Sequence, residues 1–500
     1  MSLVGGITLK GIHAYRVEVE VEVTGGLFSI SIVGLPDAAV KEAKERVRAA
    51  LRSLGLRIRG RVAVNLAPAD VPKEGALLDL PIAIGLAEKL GSLVLKGEAL
   101  FLGELALDGR VRGVRGAVPA ALLARDLKVP LFVSSENIPE VALVEGVEAY
   151  AVNELQELIG HLRGEGSLER IRKMDPSELE VNAEPDFSDI KGQGAAKRAL
   201  EIAAAGHHNV LLTGSPGSGK TMLARALRGV LPPLSDEELT EVMLVRSTVG
   251  LAFENSRNRP FRAVHHTSSA VAVCGGGTSL RPGEITLAHR GVLFLDEFTE
   301  FRRDLLESLR QPVEDGNIVV SRSTGSVTYP SRVLLVAACN PCPCGWKGDP
   351  LEPCRCSPTE VERYQKKMSG PILDRIDLYV SVPRLSSREL LGLEGQQGEK
   401  SCRIRERVCA ARKIQQKRWS SWGYSCNAEL PEKLLRKEIP LKGDVRNFLQ
   451  SIASSLRLSG RGLSRVLRVA RTIADLEGSE TVAVPHLSEA LAYRETGFLS

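Results

Sequence analysis

Aromatic residues are scarce: Phe, Trp and Tyr make up only 4% of the 500 residues. A surface built mainly on stacking bases against aromatic rings is therefore not expected. The nine cysteines are too few to staple a chain of this length into a disulfide scaffold. No apolar run approaches the roughly 18–20 residues needed to span a bilayer. One of the most apolar stretches, Val333 to Cys339, has the length of a strand. The opening MSLVGGITLKGIHAYRVEVEVEV lacks the basic, apolar and small-residue regions of a signal peptide. The expectation is a cytoplasmic protein with mostly reduced cysteines and no membrane partner. Excess charge of one sign is also missing, since 66 Lys plus Arg against 61 Asp plus Glu leave a net charge of +5. So small a balance neither requires nor excludes nucleic acid, and any basic surface must be local. There is no repeat and no long low-complexity tract. What is present, 43% hydrophobic and 25% charged residues, suffices for sizeable cores and argues against global disorder.

At roughly 100–200 residues per domain, the length suggests about three domains. Residues 15–23, YRVEVEVEV, alternate between polar and apolar, and after Thr24-Gly25-Gly26 the alternation resumes in LFSISIV. This predicts two strands joined in a hairpin. A helix is expected over 38–54, a strand over 61–66, a helix from about Leu80 to Leu90, and a second hairpin turn at Asp108-Gly109. The first 160 residues thus read as one α+β domain. Residues 162–187 are polar, with Pro176 and Pro185, and read as a linker. From Phe187 to about residue 385, strand, loop and helix alternate, the grammar of a parallel α/β sheet. Residues 386–400 are loop-like, and 402–500 carry helical patterns.

Gly214, Ser215, Pro216, Gly217, Ser218, Gly219, Lys220 and Thr221 match the phosphate-loop pattern G-x-x-x-x-G-K-[ST] in full. The motif lies between an apolar strand and a helix, the context that confirms it. Its glycines let backbone N–H groups wrap phosphates. Lys220 supplies charge to the β/γ-phosphates, and the Thr221 hydroxyl can ligate Mg²⁺. Val292 to Leu295 is apolar and ends in Asp296 and Glu297. Carboxylates at the C-terminal end of a buried strand stand where ligands bind in such sheets. Asp296 would hold Mg²⁺ and Glu297 would act as general base on water. A third apolar strand, 333–339, ends in Asn340, which can orient that water or read the γ-phosphate.

These motifs resemble an AAA+ ATPase. More narrowly, GSPGSGKT, FRAVHHTSSA, RPGEITLAHRGVLFLDEF, ACNPCPCG, SGPILDRIDL and SGRGLSRVLRVARTIADLEG resemble the magnesium-chelatase-like YifB/ComM family, end to end. The fold class implied is α/β, in five parts. These are a Lon-protease-like (ribosomal S5 domain 2-like) α+β domain over 1–161, a linker over 162–186, an AAA+ P-loop NTPase core over 187–385, a linker over 386–401 and a helical domain over 402–500. The resemblance implies a homo-oligomer, a hexameric ring with ATP sites between subunits. Arg375 then matches the arginine finger offered to a neighbour. Arg461 matches the second sensor arginine, with Arg465 the alternative. Two insertions would face the ring channel. One lies between about Thr248 and Arg290 and contains His265-His266-Thr267. The other is the hairpin around residues 320–327, with Arg322 suited to a phosphate contact. The sequence departs from the family pattern at Val264, where Pro is usual, and at Ser268-Ser269-Ala270. The histidine pair has no third metal ligand at regular spacing.

Cys342, Cys344, Cys354 and Cys356 form a C-x-C-x₉-C-x-C cluster directly after the Asn340 strand. Four thiolates in one short loop can hold a tetrahedral structural Zn²⁺, the alternative being an unmetallated, redox-labile cluster. In the Lon-like region, Leu77 occupies the place of the protease serine, so Ser–Lys chemistry is not expected. Residues 403–418 carry seven Lys and Arg against Glu406, a phosphate-tracking run or a solvated helical face. Three functions follow for comparison: an ATP-driven motor on DNA of the branch-migration type, the motor subunit of a chelatase acting with a protein partner, and an ATP-dependent protease. The leading expectation is Mg²⁺-dependent ATP hydrolysis coupled to DNA. The missing serine argues against the protease.

Overall fold

The computed structural model describes residues 4–181, 184–277, 280–322, 325–368, 372–390, 398–438, 443–455 and 459–494. The chain forms two compact units. The first comprises Met1–Leu179 together with Ser235–Asn255, and the second Glu180–Leu234 with Ser256–Ser500.

The first unit is built on a mixed seven-stranded sheet. Its strands are β1 (Val4–Lys10), β2 (His13–Thr24), β3 (Ser29–Val33), β4 (Arg61–Ala67), β5 (Ala99–Leu102), β8 (Leu131–Ser134) and β9 (Ala149–Val152), in the order β3-β4-β2-β1-β5-β8-β9. A separate two-stranded ribbon, β6 (Glu104–Leu105) with β7 (Val111–Arg112), turns at Asp108-Gly109 as expected. Asp37 caps the helix Ala38–Ser53 by accepting the Val40 N–H. That helix and Asp79–Lys89 share a core with the sheet, including Val40, Val47, Leu66, Leu80, Ile84 and Phe101.

The first expected hairpin is not formed. β2 pairs antiparallel with β1 on one edge and with β4 on the other, and β3 lies beyond β4, parallel to it. Alternation marks residues 15–23 as a strand with one wet face, but it does not choose the neighbour. The turn at Gly11-Ile12 brings β1 onto β2 first, with Lys10 opposite His13. The helix Asp236–Val249 belongs to this unit, although it is encoded between strands of the second. It packs against the helix Ala117–Leu127. Ser247 ties it down: its hydroxyl donates to Glu140 Oε2 at 2.5 Å and accepts the Val118 N–H at 3.2 Å.

The second unit holds a five-stranded sheet whose pairings are all parallel. Its strands are β10 (Val210–Thr213), β11 (Phe261–Val264), β12 (Val292–Leu295), β15 (Leu334–Cys339) and β16 (Leu378–Ser381), ordered β11-β12-β15-β10-β16. An antiparallel hairpin, β13 (Asn317–Arg322) and β14 (Gly325–Pro330), precedes β15. The helices Gly194–Gly206, Lys220–Val230, Ser401–Trp419 and Gly460–Leu476 contribute to one apolar core with this sheet. The basic stretch forms the helix Ser401–Trp419, which buries Ile404, Val408, Ala411, Gln415 and Trp419 at helical spacing. Four of its arginines are engaged within the unit. Arg405 donates to the Gly229 carbonyl, Arg407 to Glu201, Arg412 to the Ala204 carbonyl and Arg418 to Asp475. Much of its positive charge is thus used in packing. Among the described residues, no helix is long and apolar enough to cross a membrane.

The segment expected as a channel insertion, 248–290, contains the core strand β11. Residues that leave the sheet lie after Val264, where the short helices Ala270–Cys274 and Glu284–Leu287 flank a Gly275–Arg281 turn. The Tyr329 hydroxyl of β14 donates to the Leu280 carbonyl at 2.5 Å, so this turn and the hairpin touch. The hairpin tip, Ser323 and Thr324, lies outside the described residues, as do Pro371 of the finger motif and residues 391–397 of the second expected linker.

Candidate nucleotide site and four-cysteine loop

Strands β12, β15 and β10 are adjacent and parallel, so whatever leaves their carboxyl ends converges on one crevice. The loop 214–219 leaves β10, Asp296 and Glu297 leave β12, and Asn340 leaves β15. Gly214 must be glycine, because a Cβ there would stand 2.1 Å from the Val382 carbonyl oxygen. Gly217 and Gly219 have φ of +75° and +94°, the left-handed region that glycine enters without penalty. Gly219 caps the helix Lys220–Val230, whose free N–H groups and positive dipole end suit an anion.

Lys220 is nearly buried. Its ammonium donates to the Gly214 carbonyl at 2.6 Å, the Ser215 carbonyl at 2.9 Å and Asn340 Oδ1 at 3.3 Å. Burial pushes its pKa below the usual lysine range. The Thr221 hydroxyl donates to Asp296 Oδ2 at 2.9 Å. A hydroxyl and a carboxylate held this close form the oxygen donor pair a Mg²⁺ ion takes in phosphate-loop sites. Ser218 is buried, and its hydroxyl has no hydrogen-bond partner among the described residues. Pro216 and Gly217 are exposed at the loop tip. Gln193 Nε2 donates to the Ser218 carbonyl at 3.3 Å and to Pro383 O at 2.6 Å, bracing the loop from behind.

Glu297 sits at φ +52°, a left-handed conformation that costs a non-glycine residue about 1–2 kcal/mol. Its N–H donates to Asp296 Oδ1 at 2.9 Å. Its carboxylate meets His266, with Nδ1 and Oε2 2.8 Å apart. The sequence offered the histidine pair no third ligand, but the fold supplies one, since ligand atoms of His265, His266 and Glu297 come within 4.8 Å of one another. This contact was not legible in the sequence because it depends on β11 lying beside β12.

Arg375 is placed at the other end of the sheet. Its carbonyl accepts from Asn209 Nδ2 at 2.8 Å, and Asn209 immediately precedes β10, whose far end carries the phosphate loop. The Arg375 guanidinium pairs with Glu314. Arg461 is 3.4 Å from Asp374, and Arg465 donates to the Ile376 carbonyl at 2.9 Å. The three arginines are therefore neighbours, and they line a common cavity that includes no phosphate-loop residue.

The four cysteines close into a cluster. Sγ of Cys342 lies 3.4 Å from that of Cys344 and 3.7 Å from that of Cys354, and Cys344 lies 3.7 Å from Cys354. All four sulfurs fall within 4.8 Å of one another. A tetrahedral ion with metal–sulfur bonds of about 2.3 Å sets its sulfurs about 3.8 Å apart. Backbone N–H groups also point at sulfur, Lys347 N to Cys342 at 3.3 Å and Cys344 N to Cys356 at 3.4 Å. Backbone donors, that of Arg355 foremost, pull the Cys344 thiol down to about 6, whereas burial pushes its neighbour Cys342 up. The spacing and the donors suit a tetrathiolate site.

Comparison with known proteins places these features in a family. The family described as magnesium chelatase, subunit ChlI, matches residues 186–390. Subunit ChlI of Mg-chelatase matches 19–137, and the ChlI C-terminal family matches 398–494. Competence protein ComM of Haemophilus influenzae is 43% identical over 97% of this chain and 95% of its own length. YifB of Escherichia coli is 42% identical over 99% of this chain and 97% of its own length. The magnesium-chelatase 38 kDa subunit of Rhodobacter capsulatus is 26% identical over 65% of this chain and 92% of its own length. With 42–43% identity along nearly the whole chain, and the three magnesium-chelatase segments in order, the protein belongs to the YifB/ComM family of magnesium-chelatase-like AAA+ ATPases.

Proposed function

We propose that the protein hydrolyses ATP with Mg²⁺ as a ring-forming motor and applies the energy to DNA. The observation that carries the hydrolysis reading is the convergence of Lys220, Thr221, Asp296, Glu297 and Asn340 at the carboxyl ends of three adjacent strands. The glycine-rich loop and the helix start at Lys220 bind the phosphates through backbone N–H groups, and Lys220 turns from the Gly214 and Ser215 carbonyls to the β/γ-oxygens. Thr221 and Asp296 hold Mg²⁺, which when bound neutralises charge developing on the phosphates. Glu297 takes the proton of the attacking water, and Asn340 orients that water or the γ-phosphate.

Arg375, Arg461 and Arg465 lie at the end of the strands away from this crevice, so they suit the nucleotide of a neighbouring copy. This supports a homo-oligomer, a hexameric ring by analogy with the family, with Arg375 as the finger. DNA as the partner is supported by the ComM relative, named a competence protein, and by exposed Arg281 and Arg322 on the two loops that touch through Tyr329. Both can meet a phosphate backbone without reading sequence. The four-cysteine loop holds Zn²⁺. The first unit is a Lon-like module without proteolytic chemistry, since Leu77 is buried where a nucleophile would stand. The site of action is the cytoplasm.

A second reading, a chelatase-type motor that remodels a protein partner, is favoured by the match to the 38 kDa chelatase subunit. An ATPase and branch-migration assay with and without four-way-junction DNA separates the two. Stimulation and strand movement are expected, and the absence of binding, stimulation and movement together would discard the DNA reading.

A further inference from the structure

The loop between the two cysteine pairs reaches the phosphate loop. Asp349 lies midway between Cys344 and Cys354 in sequence. Its Oδ1 accepts the backbone N–H groups of Leu351 at 2.9 Å and Glu352 at 3.0 Å, which fixes the carboxylate. Its Oδ2 accepts the Ser215 hydroxyl at 2.5 Å. Ser215 is buried, and its carbonyl is one of the three acceptors of the Lys220 ammonium. The next phosphate-loop residue is held as well. Gly345 lies so close to Pro216 that a Cβ there would stand 2.7 Å from Pro216 Cδ, and its φ is +84°.

Two consecutive residues of the phosphate loop are therefore gripped from the cysteine loop, one by a hydrogen bond to a carboxylate and one by close packing. The gripping loop has little apolar anchorage beyond Trp346, which is half-buried with the Arg384 guanidinium 5.6 Å from its ring. Lys347, Gly348, Pro350, Leu351, Glu352 and Pro353 are all exposed. Such a segment holds its shape through its cross-link, and four thiolates on one ion supply that. A carboxylate beside a phosphate site is ordinarily unfavourable. Here three donors absorb its charge, so it costs less and serves as a fixed acceptor.

We propose that the metal-bearing cysteine loop is part of the nucleotide site, with Asp349 a positioning residue that holds Ser215, and through it the phosphate loop, in the form that accepts ATP. This rests on the reading of the four cysteines as a Zn²⁺ site. Preorganising the loop lowers the cost of ordering it on binding, so the effect falls on affinity rather than on the chemical step. An ion held by the four thiolates would act by keeping Asp349 in place.

The test compares full-length wild type with Asp349→Ala, Asp349→Asn and Cys354→Ser. Zinc per chain is measured by metal analysis, affinity with a fluorescent ATP analogue, and kcat and KM by steady-state hydrolysis. Wild type and both Asp349 variants are expected to carry one zinc. Asp349→Ala should raise Kd and KM about tenfold, the size of a lost charge-assisted hydrogen bond, with kcat changed less than twofold. Asp349→Asn should recover part of the affinity, because its one amide oxygen keeps the Leu351 and Glu352 N–H groups while its NH₂ can donate to the Ser215 hydroxyl oxygen. Cys354→Ser should lose zinc and weaken binding at least as much as Asp349→Ala. Unchanged affinity in Asp349→Ala with zinc present, or a loss confined to kcat, overturns the role of Asp349 and leaves the zinc site standing. A wild-type protein purified without zinc overturns the zinc reading, and this proposal with it.

Discussion

His266 Nδ1 stands 2.8 Å from Glu297 Oε2, so the residue assigned as general base meets an imidazole from the neighbouring strand end. Among the described residues the ring nitrogen makes no hydrogen bond, so the imidazole restrains the carboxylate by close contact. Replacing His266 with Ala removes this contact from the Glu297 carboxylate. Basal ATP turnover is expected to rise severalfold, with nucleotide affinity unchanged. Steady-state hydrolysis alongside a binding titration checks this, and a fall in turnover would give His266 a direct part in the reaction.

Lys220→Ala and Glu297→Gln should fail differently. Lys220→Ala loses the ammonium that meets the phosphates, so binding is expected to collapse together with hydrolysis. Glu297→Gln keeps the cradle and loses only the base, so turnover should fall about 10²-fold or more while the nucleotide still binds. Full activity in Glu297→Gln would remove it from the base role.

The placement of Arg375 predicts complementation between two inactive proteins. Arg375→Ala alone should lower turnover by about 10³-fold with binding preserved. Mixing it with Lys220→Ala should restore part of the activity, because some interfaces then pair an intact phosphate loop with an intact arginine. No recovery on mixing, with mixed oligomers demonstrated, would place the arginine in its own subunit's site.

Burial lowers the pKa of Lys220 in the free protein, which fixes the sign of two pH effects. Phosphate favours the ammonium, so binding takes up a proton wherever the free protein has already lost it. Affinity is expected to be flat below the lowered pKa and to fall as pH rises through it. Calorimetry in buffers of different ionisation enthalpy reads the uptake, and Lys220→Arg should abolish it. The same shift makes the unfolded chain the better proton binder between the lowered value and the ordinary lysine value, about 10.4. Across that window this group's contribution to stability increases with pH.

Trp419 is fully buried in the second unit, and its indole N–H donates to Asn427 Oδ1 at 2.8 Å. Trp419→Ala leaves a large cavity and an amide short of one partner. A loss of about 3–5 kcal/mol is expected, measured by urea unfolding. Trp419→Phe should cost less, since it keeps most of the volume.

The phosphate loop and Asp296-Glu297 were legible in the sequence because each keeps its chemistry within a few consecutive residues beside an apolar strand. Asn340 was legible for the same reason. The contacts of His266 with Glu297 and of Ser215 with Asp349 were not. They join segments brought together by strand order and by a cross-linked loop, and no local pattern encodes either. The strand 15–23 was legible by its alternation, while its partner was not, and β4 rather than β3 proved to be the neighbour. Charge counting exposed the basic run at 403–418 but could not show that Arg407 and Arg418 point at Glu201 and Asp475.

The helix Asp236–Val249 completes a unit whose other residues end at Leu179. The first unit is therefore unfinished when its own contiguous stretch leaves the ribosome, and it waits for about sixty further residues before Leu239, Val242 and Met243 can be covered. A fragment cut to begin near residue 180 would carry that helix with its apolar side bare. Dissecting this protein at the boundary its sequence suggests would yield two damaged pieces, and a separable first unit would need residues 235–255 grafted back.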